Sequence, residues 1–162
     1  MANEPREVWG DLVTSAFVQA SHLFKSLDEE AREDLLKLAQ SLSFGPGEII
    51  VQQGESGEFF FLIHDGNAVI TFVRDGQTID IGSLDRGAFF GEFHVLAGTP
   101  HMATVTARTD LSLVRFPSVM IVALLDRFPK VRKLLEAVKT AREKETAAKL
   151  GGGAAGAPGA GT

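Results

Sequence analysis

The sequence predicts a mainly β fold with flanking helices, a double-sheet sandwich or jelly roll, and three observations carry that prediction. Six short runs rich in β-formers follow one another: Ile49 to Val51, Phe59 to Ile63, Ala68 to Val73, Thr78 to Ile81, Ala103 to Ala107 and Leu111 to Phe116. Breakers separate them, among them Asp65-Gly66, Asp75-Gly76 and Asp85-Arg86-Gly87. Helical periodicity is confined to the two flanks. Many short strands at this spacing are the pattern of two packed sheets.

Residues 1–21 are weakly patterned, although Val8, Trp9, Leu12, Val13 and Phe17 have the spacing of a short amphipathic helix. A domain over 22–150 follows. Ser26-Leu27-Asp28-Glu29 has capping-box spacing and precedes Ala31, Leu35, Leu38, Ala39 and Leu42, which predicts a helix with one buried face. Strands begin after Gly45-Pro46-Gly47. Asp75-Gly76 predicts a tight hairpin turn, because both central residues must tolerate positive φ. Pro117 suits the first turn of a returning helix. Phe128-Pro129 breaks that helix and opens a last one, with Val131, Leu134, Leu135 and Val138 as its apolar stripe and Arg132–Glu136 and Lys139–Glu143 as pairs on its wet side. Gly151 is expected to end it. Residues 151–162 are Gly, Ala, Pro and Thr, which cannot bury a core and predict a flexible tail.

The 162 residues suit one domain with its own core. With no Cys, disulfides and thiolate metal sites or nucleophiles are excluded. The first residues lack a basic region followed by an apolar stretch, and the longest apolar runs are far too short to cross a bilayer, so a cytoplasmic protein without membrane contact is expected. The net charge of −5 is uneven: Arg127 to Leu150 carries eight Lys/Arg and three Glu, a local +5, which leaves −10 for the rest. An acidic body with a basic last helix argues against general nucleic-acid affinity and permits contact with an acidic partner or a second subunit. No catalytic triad, Walker loop or Gly-x-Gly-x-x-Gly helix opening is present, so no enzyme is expected.

The run from Phe90 to Val105, Phe-Gly-Glu-Phe-His-Val-Leu-Ala-Gly-Thr-Pro-His-Met-Ala-Thr-Val, resembles the phosphate-binding cassette of the cyclic nucleotide-binding domain family. The likeness extends to Phe44–Gly57, to Phe60–Gly66, to Ile81–Glu92 and to the two closing helices around Pro129, about residues 22–140 in all. The resemblance implies a β-roll of double-stranded β-helix (jelly-roll) type with an N-terminal helix and C-terminal B and C helices. It implies a cyclic nucleotide as ligand, no separate cofactor, and contacts from Gly91, Glu92, Phe93, His94, His101, Met102 and Ala103. Glu92 would accept from the ribose 2′-OH, Gly91 would let the backbone approach the ligand, and a surface on the last helix would cover the base.

The cassette departs from the family pattern at one decisive place. His101 stands where the family carries the Arg that grips the phosphate. Imidazole is shorter, has at most two N–H donors and is mostly uncharged near neutral pH. Loss of a charge-assisted bidentate contact at a buried site costs on the order of 2–5 kcal/mol, roughly 30- to 3000-fold in affinity. His94 and Met102 replace small residues and are expected to add bulk to the cavity. A metal held by Glu92, His94 and His101 is a further alternative for the same residues.

The expected function is a regulatory or sensor module acting through a protein partner or a homodimer along the last helix, with weak or no binding of cAMP and cGMP. The alternative is a degenerate domain serving as an interaction scaffold. Relatives of the catabolite activator type carry a helix-turn-helix after the last helix. About 12 low-complexity residues follow here, too few for such a unit, so direct DNA binding is not expected.

Overall fold

The computed structural model describes residues 21–152, and the expectations for residues 1–20 and 153–162 lie outside that range. A 3-10 turn (His22–Phe24) leads into α1 (Glu29–Leu38). Its N-cap is Asp28, whose carboxylate accepts from the Ala31 amide at 2.8 Å, not the Ser26 expected from the capping-box spacing. Nor does the helix reach Leu42. It stops at Leu38, and Gln40–Phe44 is the first strand, β1. Leu42 fits both patterns, and its cross-strand partner Leu113 decides the matter.

The remaining elements are β2 (Ile49–Val51), β3 (Phe59–Asp65), β4 (Ala68–Arg74), β5 (Gln77–Leu84), β6 (Phe89–Phe90), α2 (Glu92–Ala97), β7 (Thr104–Ala107), β8 (Leu111–Pro117), α3 (Ser118–Arg127) and α4 (Pro129–Gly152). Two four-stranded antiparallel sheets result, in the orders β1-β8-β3-β6 and β2-β7-β4-β5. The β4–β5 turn places Asp75 at φ 54° and Gly76 at φ 77°, as the hairpin requires. The last helix runs to Gly152, past the Gly151 stop.

Strand β3 explains why Phe59 to Ile63 is apolar without alternation: both of its faces are covered. Phe61 and Ile63 point between the sheets with Leu42, Leu113 and Phe90. Phe60 and Leu62 point outward with Val114 and Phe116, beneath a helical layer. That layer includes Phe24, Leu35, Ile121, Leu124, Val131 and Leu135, all nearly inaccessible. The stripe on α4 therefore docks on the domain's own core. No helix among the described residues is long and apolar enough to cross a membrane.

Candidate functional site

Helix α4 has 24 residues, far more than its stripe needs. Its first half packs on the helical layer, and its second half crosses a cavity floored by the second sheet. Arg74, at the end of β4, donates from Nη2 to the Leu150 carbonyl at 3.2 Å and so holds the far end of the helix. The cavity measures about 650 Å³, the size of a small-molecule site. Its apolar walls include Ile70, Phe72, Ile81, Phe90, Val105 and Leu150. The two edges of the cassette line the same space: Gly91, Glu92, Phe93 and His94 on one side, His101, Met102 and Ala103 on the other. All seven residues singled out in the sequence thus border one cavity.

Gly91 is the N-cap of α2 at φ 101°, a conformation that side chains rarely adopt. A Cβ there would stand 2.9 Å from the Phe59 carbonyl oxygen. Gly91 thus lies close against β3 as well as bordering the cavity. Glu92 begins the helix and is almost fully buried, with a relative exposure of 2%. Its Oε1 lies 2.7 Å from Nη1 of Arg142 on α4. The guanidinium N–H does not align on that oxygen, so Oε1 has a charge partner and no hydrogen bond. Next to it, Lys139 stands over the Phe93 ring at 5.4 Å and pairs with Glu143 at 3.0 Å. Helix α4 therefore meets the cassette through two side chains of α2.

The other edge is held by main chain. The His101 amide donates to the Glu55 carbonyl at 2.9 Å, and the His101 carbonyl accepts from Gly54 at 2.8 Å. The Gln53 amide donates to the Thr104 hydroxyl at 3.0 Å and steadies the same loop. Burial holds the His101 imidazole below its ordinary pKa, the neighbouring His94 adds to that, and Glu55 opposes it. His94 Nδ1 lies 3.2 Å from the Thr99 carbonyl oxygen, and its ring fills the space where Gly57 lacks a side chain. Met102 is 49% exposed at the rim. No group of three His, Asp or Glu among the described residues can hold a metal, which removes the Glu92–His94–His101 alternative.

Sequence reasoning missed Arg142 by reading the distal half of α4 as a solvated face. The signal was available: Val131, Leu135, Val138 and Arg142 fall at i, i+4, i+7 and i+11, so Arg142 continues the buried stripe.

Residues 41–128, more than half of the chain, match the family model of the cyclic nucleotide-binding domain. A cAMP-dependent protein kinase regulatory subunit from Candida albicans is 35% identical over 89 residues, which cover 55% of this chain and 18% of that relative. The chain thus spans about a fifth of the length of that relative. Among solved structures, the regulatory domain of Toxoplasma gondii PKA with cAMP superposes with a TM-score of 0.72 at 22% identity, covering 81% of this chain and 50% of the other. The regulatory subunit of a cAMP-independent protein kinase A from Trypanosoma brucei gives 0.63 at 22% identity, covering 72% and 46%. Both share the β-roll and its flanking helices.

Proposed function

We propose, given that the chain belongs to the cyclic nucleotide-binding domain family, that it is a regulatory module whose cavity under α4 takes a small ligand and holds cyclic nucleotides weakly. In this reading the regulatory domain spans residues 22–150. Gly91, Glu92, Phe93, His94, His101, Met102 and Ala103 face the ligand, and α4 carries the signal to a protein partner or a second copy of the chain. The observation that carries it is the pairing of a buried Glu92 on one edge of the cavity with a neutral His101 on the other. On this reading Glu92 serves as the ribose acceptor, and His101 leaves the phosphate without a permanent cation. The regulatory-subunit relative supports a role without catalysis.

Calorimetric titration with cAMP and cGMP at pH 6 and pH 8 tests this. At pH 8 the native chain should bind neither tightly, and His101→Arg should gain roughly 30-fold or more, the lower end of the loss attributed to the missing guanidinium. Nanomolar affinity of the native chain at pH 8 would sink the reading. The Glu92–Arg142 pair favours a second reading, a scaffold that binds no nucleotide because α4 already supplies the carboxylate's partner. His101→Arg separates the two, since a scaffold gains nothing from it.

A further inference from the structure

The outer surface of the helical layer carries two patches of opposite charge that nothing among the described residues covers. On α3, Val119 is 78% exposed and Val122 43%, with the exposed Ala123 one turn from Val119. The buried side of that helix is filled without them, by Ile121, Leu124 and Leu125. Asp126, at the foot of the exposed face, pairs with Arg132 at 3.3 Å, and Arg132 also faces Glu136 at 3.9 Å, so the surface continues onto α4. There Lys130 and Lys133, with Arg127 at the end of α3, stand exposed without a carboxylate partner among the described residues.

Helix α1 is the counterpart. Glu29, Glu30 and Glu33 are exposed and make no ion pair among the described residues, whereas Lys37 faces Asp34 at 3.9 Å. Leu38 is exposed at the far end of the same helix. Glu29 and Glu30 suit a helix N-terminus, but Glu33 lies past the first turn and gains nothing there. Both α1 and α3 pack against β8, so the acidic and the basic patch lie on one side of the domain. Isolated exposed ion pairs contribute little to adhesion, but apolar contact flanked by complementary charge fixes a partner and its orientation.

We infer that two copies of the chain associate through this side, α1 of each lying on the α3–α4 corner of the other. A two-fold axis makes both contacts at once, because each copy offers the two patches together. Leu38 then meets Val119 and Val122, and Glu30 and Glu33 meet Lys130 and Lys133. The pairing goes beyond the ligand reading and does not depend on it.

Sedimentation equilibrium of the full chain tests it. At low salt the mass should rise from one chain toward two between roughly 1 and 200 μM. Salt at about 0.5 M, which screens charges beyond about 4 Å, should weaken the association roughly tenfold. The double variants Lys130→Glu, Lys133→Glu and Glu30→Lys, Glu33→Lys reverse the two sides separately. Each alone should lose roughly tenfold or more in dimer affinity, because like charges then face each other. Mixed in equal amounts, the two should pair with each other about as tightly as the native chain does, since both contacts are again complementary. Val119→Ser, Val122→Ser should weaken the native association by about tenfold. A chain that stays single at every concentration overturns the inference and leaves this face to a different acidic partner. A dimer indifferent to both reversals makes its contact elsewhere and overturns it as well, and so does a mixture that stays monomeric.

Discussion

The cassette has two halves that the rest of the chain treats differently. From Gly91 to Gly98 it is fixed by packing and charge. Gly91 lies against β3, Glu92 is buried on Arg142, Phe93 sits beneath Lys139, and the Gly98 amide closes α2 on the His94 carbonyl at 2.7 Å. From Thr99 to Ala103, the loop beyond Thr99 is tied by main-chain hydrogen bonds of His101 to Gly54 and Glu55, and the His101 side chain makes no hydrogen bond to any described residue. The path of a loop and its grip on a ligand are therefore separable. Backbone bonds set the path whatever the side chain, so position 101 carries an imidazole without disturbing the roll. The first half has no such freedom, because its side chains hold the domain itself.

The sharpest way to break this contrast is Gly91→Ala. A methyl group there meets the Phe59 carbonyl and forces a strained φ, so the domain should lose about 3 kcal/mol and roughly 6–12 °C of Tm in thermal unfolding. A Tm within 2 °C or so of the native chain would show that α2 can shift away from β3, and the first half would be no more fixed than the second.

Arg142→Ala comes next. Removing one partner of a fully buried ion pair costs roughly 3–5 kcal/mol, but the Arg142 side chain is 21% exposed and the cavity admits water, so about 2 kcal/mol is expected. Denaturant unfolding of Arg142→Ala, Glu92→Gln and the double variant measures the coupling. The double variant should recover most of the loss, because no charge is then left unpaired. Strict additivity would mean that the pair is incidental and that α4 is held elsewhere, by Arg74 and the Leu135 stripe.

These two positions also mark how far the sequence could be read. Six of the eight strands were legible because their apolar runs and turn residues agree, and Asp75-Gly76 specified the β4–β5 hairpin outright. Leu42 was misread because Leu35, Leu38 and Leu42 satisfy a helical spacing while Gln40–Phe44 also alternates, and only pairing with β8 separates the two. In the site, Glu92 and His101 were legible from the cassette spacing. The inward placing of Arg142 could have been read from the Val131–Leu135–Val138 stripe, but its partner could not, because Glu92 lies 50 residues away and is met only by the path of α4 across the cavity. The packing of Gly91 on β3 was not legible, because Phe59 lies 32 residues before it and only the fold brings the two together.

Acid titration probes the second half more gently. The folded-state pKa of His101 lies below its unfolded value of about 6.5, so between those two values the unfolded chain binds more protons. Stability contributed by the neutral ring is complete above about pH 6.5 and falls as the pH drops through that window. His64, lowered by burial and by Arg86 against the opposing Asp65, has the same sign. Tm should therefore decline from pH 7 to pH 5, less steeply in His101→Gln and least in the His101→Gln, His64→Gln pair. A decline of equal slope in all three would place the titration elsewhere and leave the His101 ring uncoupled from the fold.

The smallest effect should come from Met102→Ala. Core methionines cost about 2–5 kcal/mol when truncated, whereas exposed positions away from caps, charges and turns move stability by about 0.5 kcal/mol or less. Met102 is 49% exposed at the cavity rim, and its loop keeps its path through the Glu55 and Gly54 bonds, so truncation should shift Tm by no more than about 2 °C. A loss above about 2 kcal/mol would put the Met102 side chain inside the packed structure. The second half of the cassette would then be held by side chains as the first is, and the His at position 101 could no longer be explained as a change the fold does not feel.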